Sequence, residues 1–477
     1  MKLISQTELF TLHRSVIIPI FGLIFALSVM AFLEYSGQGF VYILFTIVSN
    51  ALLCFGFRKK AIFFDTFVGI FLWLGFWLKS SIRIAFMHGQ FHEAVGMFDG
   101  SGGSFDQALL VSSCGMLGLL AASIVRERFI FNYPDKLIGT ALTGLYKFYR
   151  DYRILVLSTF VVLVVGVAFT NAYFGIYQRG AVPRTILPFG LNGVYSWLLL
   201  FGLASFTALI LHFEFEMNKK TSYLVAMLGL LESFLSNVSL LSRGMVLNAS
   251  ALAYGVFRSL KINSIQSSFR FLVISFTVFI VLFGSSVLLV NHLRVSTGYK
   301  ESVQIQDIAK HNDSNQLKIL FLDRWVGIEG VMAVSSYPEL GWGLWGKAWK
   351  ETFSYDQTTF FDLNIITTPY QNVDSTKHHY ISLPGILAFC FYPGSFIFLF
   401  GCMLILGLLA ALIEMSVYKL GGKNIVLCAL LAQVVAYRYA HFGYVPMQSY
   451  KLFGTIYLNL FIIYFSDKFL LFWHGRK

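Results

Sequence analysis

The run FLVISFTVFIVLFGSSVLLV (residues 271–290) contains no charged side chain and leads directly into a long polar interval from Asn291 to Tyr380. In a helix, a run of this length rises about 30 Å, which matches the hydrocarbon thickness of a bilayer. Elsewhere the chain alternates comparable apolar runs with short connections. This pattern predicts a bundle of membrane-spanning helices with one large loop outside the membrane.

The composition of the whole chain supports the same interpretation. Hydrophobic residues make up 57% of the sequence and charged residues only 13%, which is about half the charged share of a soluble protein. The segment 1–14 is polar and precedes a full-length apolar run, so we expect a retained first span rather than a cleaved signal. All five cysteines lie inside apolar runs, so we expect neither a disulfide nor a thiolate metal site.

Twelve apolar runs are candidate spans. They are 15–33, 40–57, 61–78, 107–124, 153–170, 191–213, 222–240, 243–257, 271–290, 383–412, 424–437 and 452–467. Residues 1–290 would hold spans 1–9, residues 291–380 the large external (periplasmic) loop with an amphipathic helix, and residues 381–477 spans 10–12. Pro393-Gly394 falls inside the tenth run and is expected to kink or break it.

The net charge of +12 has a membrane explanation rather than a nucleic-acid one. With twelve spans, the basic connections fall on one face together with both termini. About 21 of the 36 Lys and Arg residues lie on that face, although its connections are mostly short. Because positive charge marks the cytoplasmic side, we predict a multi-pass protein of the bacterial cytoplasmic (inner) membrane with both termini in the cytoplasm.

Among the cations on the predicted outer face, which oppose this bias, three arginines stand out. Arg179 and Arg184 occupy the connection 171–190, and Arg243 stands in Leu-Ser-Arg-Gly with almost no loop around it. Two interpretations are open. The side chains either anchor span ends at the interface, or they face a polar cavity where their planar forks bind phosphate oxygens.

Arg324 is a stronger candidate for a functional residue, because the segment 317–334 has helical periodicity. On a helical wheel, Arg324 falls in the middle of the apolar face, where a solvated charge is not expected. It should therefore point into the protein, towards a ligand or a salt-bridge partner. The nearest acids, Asp323 and Glu329, lie well off that face, which weakens the salt-bridge alternative.

The loop ends on the pair His378-His379, just before the tenth run. A histidine there has a pKa suited to accepting a proton from a sugar hydroxyl. The pair could instead be two solvated loop residues, or part of a metal site that needs a third ligand. Earlier in the loop, Trp342, Trp345 and Trp349 form either an aromatic belt at the membrane surface, which we favour, or a stacking platform for sugars.

Several features together resemble the bacterial O-antigen polymerase and O-antigen ligase superfamily. They are the many spans, the large outer loop late in the chain, Leu-Ser-Arg-Gly at 241–244, Arg324-Trp325 followed by Gly327 and Glu329, and the histidine pair before the next span. The resemblance implies an all-α, GT-C-like glycosyltransferase architecture. It also implies glycan substrates carried on undecaprenyl diphosphate, with no metal, nucleotide or other cofactor.

The resemblance implies residue roles as well. The diphosphate would be bound by Arg179, Arg184, Arg243 and Arg324. Arg324 would also act in catalysis, with His378 or His379 as the base. Superfamily ligases tend to show a His-x-x-His arrangement, whereas the two histidines are adjacent in this chain. That departure favours a polymerase of oligosaccharide repeat units over a ligase.

The expected reaction is polymerisation of lipid-linked repeat units into O-antigen or a related surface polysaccharide. Its partners would be membrane lipid and a polysaccharide chain-length regulator, with no nucleic acid. One alternative is a ligase that transfers finished polysaccharide to lipid A core. Another is a flippase or transporter of the same glycan, which should have cationic residues deep in several spans and paired halves. The sequence shows neither, and the few ionisable residues in apolar runs (Asp65, His212, Glu232) are explained by contacts between helices.

Overall fold

The computed structural model describes residues 6–91, 93–135, 139–179, 182–218, 222–242, 244–262, 269–296, 325–352, 358–366, 382–442 and 446–474. Within these ranges all regular secondary structure is helical. The helices are α1 Gln6–Glu34, α2 Gly39–Gly56, α3 Phe63–Leu72, α4 Lys79–Met87, α5 Gly102–Phe129, α6 Thr143–Asp151, α7 Arg153–Phe174, α8 Leu191–Trp197, α9 Leu203–Asn218, α10 Tyr223–Ser239, α11 Met245–Ile262, α12 Phe269–Ser296, α13 Ile328–Ser335, α14 Trp342–Trp349, α15 Gly385–Cys390, α16 Phe396–Leu420, α17 Ile425–Ala440 and α18 Pro446–His474. Short π-helical segments join α3 to α4 (Trp73–Leu78) and α8 to α9 (Leu198–Gly202).

Among the residues that the structure describes, eight helical segments are long and apolar enough to cross a membrane. They are Gly39–Gly56, Phe63–Met87, Gly102–Phe129, Arg153–Phe174, Pro188–Asn218, Arg270–Arg294, Phe396–Leu420 and Ser449–Trp473. Three shorter apolar helices cover Ile18–Glu34, Tyr223–Ser239 and Ile425–Ala440. The prediction of an all-helical, multi-pass membrane protein is therefore confirmed. A helix lies at each of the twelve predicted positions, while the count of twelve membrane crossings stays a prediction.

Local sequence explains where several helices begin. Ser101 accepts a hydrogen bond from the backbone N–H of Ser104 and starts α5, and the side chain of Asn424 caps the first turn of α17. Pro393-Gly394 separates α15 from α16, with Gly394 at φ +73°, so the predicted break of the tenth run is confirmed.

The predicted end of the third span at residue 78 is wrong. The helix continues as α4 through Lys79 to Met87, so that Lys79 lies inside a segment of 25 residues. Lys79 is almost completely buried and pairs with the carboxylate of Glu329. A charge that is neutralised within the protein does not have to mark the exit from the membrane, and this explains the misplaced boundary.

The helix α17 lies at the centre of the bundle, where it packs against α3, α9, α11 and α16. All of its residues are buried except Val434, Tyr437 and Arg438. Two of these three side chains belong to its last turn. The central helix therefore delivers an aromatic ring and a guanidinium group to one end of the bundle.

The connections sort into two ends of the bundle. At one end, which we call the basic end, Ala141 bonds to Gly422 and Arg258 bonds to the backbone oxygen of Ala61. These contacts join connections that the sequence assigns to one basic face. At the opposite end, which we call the loop end, the turn between α10 and α11 meets the end of α12, where the long loop begins.

In the predicted amphipathic segment 317–334, the residues from 327 onward are buried on all sides. All eight residues of α13 are buried, rather than one face of the helix alone. A side chain at Gly327 would collide with the backbone oxygen of Gly75, and one at Gly330 with that of Pro384. Glycine at these two positions therefore lets the returning loop pack backbone to backbone inside the bundle.

Candidate functional site at the loop end

The turn between α10 and α11 contains the Leu-Ser-Arg-Gly motif and has an unusual backbone. Leu241 has φ +51°, a region that side chains other than glycine rarely occupy. The N–H of Ser242 bonds to the backbone oxygen of Asn237 at 2.8 Å. Asn171 of α7 donates its side-chain N–H to both the backbone oxygen and the hydroxyl of Ser239. A conformation of this kind persists only where the surroundings hold it in place.

Two arginine residues hold the same turn. The backbone N–H of Arg179 bonds to the oxygen of Leu240 at 3.0 Å. The guanidinium of Arg294, at the end of α12, donates from Nε and Nη2 to the oxygen of Leu241, at 2.9 and 2.6 Å. The connection 171–190, the α10–α11 turn and the end of α12 are therefore joined at one place.

The guanidinium of Arg179 also approaches the central helix. Its Cζ lies 6.0 Å from the ring centroid of Tyr437, and its Nη1 lies 3.8 Å from where a side chain on Gly244 would begin. Tyr437 in turn stacks on His441, with ring centroids 3.9 Å apart. We call Arg179, Arg294, Tyr437, His441 and the α10–α11 turn the arginine cluster.

A described segment within the long loop reaches the same place. Trp325 stacks on Phe71 with ring centroids 6.1 Å apart, and Phe71 meets Tyr437 edge to face at 5.9 Å. Lys79 donates to the backbone oxygen of Trp325 at 3.1 Å and pairs with Glu329. Lys79 and Glu329 therefore hold Trp325, the residue after Arg324 in the sequence, in place. Trp325 contacts Phe71, which in turn contacts Tyr437 of the arginine cluster.

The residues after the loop return to the end of α17. The N–H of Gly385 bonds to the backbone oxygen of Phe442 at 2.6 Å, and a side chain on Gly385 would begin 3.5 Å from Val326. Just upstream, the buried carboxylate of Asp362 accepts hydrogen bonds from the backbone N–H of Ser382. The chain that follows the loop therefore lies beside the end of α17, next to Val326 from within the loop.

Glu351 is another acidic residue of the loop, and its pKa is raised. Glu351 accepts a hydrogen bond from the N–H of Phe360 at 2.7 Å. Burial raises the pKa of the Glu351 carboxyl, and the nearby charge of Asp362 raises it further. Glu351 and Asp362 therefore act as anchors of the loop.

The residues predicted to bind the diphosphate or to act in catalysis lie in different parts of the structure. Arg179 lies in the arginine cluster. Arg184 is exposed, and its side chain folds over Gly175 at the end of α7. The remaining predicted residues lie outside the described residues. They are Arg243, Arg324, His378 and His379.

The tryptophan segment forms α14 at the surface. Trp342 and Trp349 are 60% and 42% exposed, and Trp342 and Trp345 pack against Phe398 at the start of α16. Exposed aromatic side chains beside the end of a membrane-spanning helix favour the aromatic-belt interpretation over sugar stacking.

The sequence prediction assigned no role in this region to Lys79, Arg294, Arg438 or His441. Arg438 lies in the last turn of α17 and donates to the hydroxyl of Ser449 at 3.0 Å. Arg438 and His441 follow the eleventh predicted span, so they also lie on the predicted outer face. The argument used for Arg179 would therefore have found them. Lys79 follows the third predicted span and so lies on that face as well, but its pairing with Glu329, 250 residues away along the chain, has no local signal.

The arrangement is suited to binding an anion. Guanidinium groups present several hydrogen-bond donors in a plane that matches phosphate oxygens. The turn also opens α11, and the first backbone N–H groups of a helix add partial positive charge at its start. Tyr437 and His441 supply an aromatic wall and an imidazole beside these donors.

No known protein family matches the chain, and neither a curated protein nor a solved structure matches it. The interpretation of the site therefore depends on its geometry and on the short motifs quoted above.

Proposed function

We propose that this protein is a glycosyltransferase that polymerises oligosaccharide repeat units carried on undecaprenyl diphosphate. The observation that carries the proposal is the arginine cluster, in which Arg179 and Arg294 hold the turn that leads into Arg243 and α11. A diphosphate requires several cationic groups at one place, and Arg179, Arg243 and Arg294 would supply them beside a helix N-terminus.

In the proposed reaction, a sugar hydroxyl of one lipid-linked glycan attacks the anomeric carbon of another. The new carbon–oxygen bond forms as the bond from that carbon to the diphosphate breaks. The hydroxyl proton passes to a histidine, and undecaprenyl diphosphate leaves with both electrons of the broken bond. Cationic groups stabilise the negative charge that develops on the diphosphate, and an in-line attack inverts the anomeric centre.

The base in this scheme comes from the loop end. The resemblance points to His378 or His379. His441 is an additional candidate, because it stacks on the ring that Arg179 approaches. The scheme needs no nucleotide fold, since the leaving group is already joined to the lipid.

The proposal includes the membrane orientation. The basic end would face the cytoplasm, as the excess of Lys and Arg predicts, and the loop end would face outward. Twelve crossings and a GT-C-like architecture are parts of the same proposal. The lipid-linked glycan would then be extended on the outer face of the cytoplasmic membrane.

Buried charge in the bundle favours an enzyme over a transporter. Among the described residues, three buried cations lie inside candidate membrane-spanning helices. Lys79 pairs with the carboxylate of Glu329, and Arg126 pairs with that of Asp65. Arg83 donates to the backbone oxygen of Gln90 at 3.0 Å. Paired charges join helices or loops and do not form a cationic path for a diphosphate.

The test uses purified full-length protein in nanodiscs, a synthetic undecaprenyl-diphosphate-linked repeat unit and a chelator. A ladder of longer lipid-linked glycans on a gel supports the proposal. If product forms only after lipid A core is added as acceptor, the protein is a ligase. Movement of the glycan across proteoliposomes without extension identifies a transporter and contradicts the enzyme assignment.

A further inference from the structure

A cavity of about 580 Å³ lies between α9, α10, α11 and α12. Its lining is overwhelmingly apolar and includes Leu211, Leu230, Phe257 and Phe276. On α10 the lining runs from Ser222 to Leu230, which is the half of that helix nearer the basic end. The cavity is therefore separate from the arginine cluster, which lies at the other end of α10.

The cavity opens sideways, towards the surface that the bundle presents to lipid. Phe276 lines it and is 63% exposed, and Ala253 on α11 is an exposed lining residue as well. An empty apolar cavity destabilises a protein in proportion to its volume, and water does not fill one that lacks polar partners. The surrounding bilayer supplies hydrocarbon chains that can fill it.

Three polar side chains mark one edge of this cavity. Lys261 and Arg270 are exposed and stand next to the lining residues Leu260 and Phe271. Neither forms a salt bridge with another side chain in the described part of the chain. Ser275 also lines the cavity, and its buried hydroxyl has no hydrogen-bond partner among the described residues.

The spacing of these groups matches the layers of a phospholipid. Ser275 follows Arg270 by five residues on α12, a rise of about 7.5 Å. The layer between lipid phosphates and hydrocarbon is of similar depth, about 5–8 Å on each side of a bilayer. With Arg270 at the level of the phosphates, Ser275 lies at the level of the glycerol ester oxygens.

We propose that this cavity binds one anionic glycerophospholipid from the leaflet at the basic end. One acyl chain fills the apolar space, Ser275 donates a hydrogen bond to an ester oxygen, and Lys261 and Arg270 contact the phosphate. The acid in the lining, Glu214, does not oppose this, because Arg153 and Tyr149 both donate to its carboxylate. The site is independent of the proposed enzymatic function.

The experiment places the full-length protein in phosphatidylcholine nanodiscs with a small fraction of phosphatidylglycerol that carries a diazirine on its acyl chain. After irradiation, mass spectrometry locates the labelled residues. Labelling should concentrate on cavity-lining residues such as Ala253 and Phe276. Ala253→Phe fills the cavity and should remove most of this labelling. Val281→Phe adds the same ring to an exposed position on α12 and should leave labelling unchanged.

Headgroup selection is tested with Lys261→Gln and Arg270→Gln. Each cation contributes about a factor of five to binding of an anionic lipid, so the double variant should lose roughly 25-fold in preference for phosphatidylglycerol over phosphatidylcholine probes. Equal labelling by both probes in the wild-type protein contradicts the proposal. So does displacement by undecaprenyl phosphate but not by phosphatidylglycerol, which would assign the cavity to a polyprenyl tail.

Discussion

Two arginines at the basic end of the bundle and two at the loop end have different kinds of partner. At the basic end, Arg126 donates to the carboxylate of Asp65 at 2.6 Å, and Arg58 pairs with Glu127 at 3.1 Å. At the loop end, the guanidinium of Arg294 donates to the backbone oxygen of Leu241 in the α10–α11 turn. The backbone N–H of Arg179 donates to the backbone oxygen of Leu240 in the same turn. The first arrangement joins helices to one another, whereas the second shapes a turn and gathers cations around it.

This difference separates stability from function. A buried charge that pairs with a carboxylate on another helix is costly to expose, so its loss should unfold the bundle. An arginine that lies against the α10–α11 turn should contribute more to ligand binding than to the stability of the fold. Substitutions at the two ends should therefore have opposite signatures in a stability measurement and an activity assay.

The largest expected effect is at the basic end. Asp65→Asn removes the charge that neutralises the almost completely buried Arg126. Loss of one partner of a buried ion pair typically costs about 3–5 kcal/mol, so the thermal unfolding midpoint in detergent should fall sharply. The matched control is Lys59→Ala, since Lys59 pairs with Asp135 where both are 86% exposed. An exposed pair contributes about 0–1 kcal/mol, so this variant should unfold like the wild type.

A rescue variant sharpens this test. Replacing both partners, as in Asp65→Leu with Arg126→Met, leaves no uncompensated charge and should recover much of the lost stability. If Asp65→Asn alone unfolds at the wild-type temperature, the pair does not hold the basic end together.

The next effect is at the loop end. Arg179→Ala keeps the backbone N–H that bonds to Leu240 but removes the guanidinium from the arginine cluster. Loss of one donor to a developing charge typically lowers turnover about 100- to 1000-fold, so polymer synthesis should fall by this factor while the unfolding temperature is unchanged. Lys347→Ala removes an exposed cation from α14 and is the matched control. Wild-type chain length and yield from Arg179→Ala would remove Arg179 from the site.

A smaller effect is expected for Arg294→Lys. The charge is kept, but an ammonium cannot reproduce the two hydrogen bonds that the guanidinium donates to Leu241. Losing a hydrogen bond of this kind costs about 0.5–1.5 kcal/mol, so initial rates of polymer synthesis should drop about two- to tenfold. If the thermal unfolding midpoint of Arg294→Lys falls together with the rate of polymer synthesis, Arg294 stabilises the fold, as the ion pairs at the basic end do.

The sequence predicted the helices well because each depends on a local apolar run. All twelve runs coincide with helices, and the break at Pro393-Gly394 follows from the backbone chemistry of two adjacent residues. The error at Lys79 has the opposite origin. Its burial depends on Glu329, a partner distant in the sequence, and no local pattern reveals such a pair.

The candidate site was predictable only in part for the same reason. Arg179 stood out because its charge opposes the bias of its face. The role of Arg294 in holding Leu241 depends on how the end of α12 meets the α10–α11 turn. The central position of α17 makes Tyr437 and His441 neighbours of Arg179, and that position is a property of the packed bundle.

The smallest expected effect concerns an acid at the loop end. Burial raises the pKa of Glu351 in the folded chain, so the carboxyl stabilises the fold fully only below its unfolded pKa. That contribution is lost as the pH rises through the folded pKa. Glu351→Gln keeps an oxygen for the N–H of Phe360 and cannot ionise. It should raise the unfolding midpoint by about 1–2 °C at pH 8 and by nothing at pH 4.

The control for this variant is Glu339→Gln, which makes the same change of charge at an exposed position of the same loop. The two variants together separate burial from net charge, because both remove one negative charge but only Glu351 is partly buried. If Glu339→Gln raises the midpoint equally, the effect comes from net charge. If Glu351→Gln lowers the midpoint at pH 8, Glu351 is an ionised partner of a cation and belongs with the paired charges of the basic end.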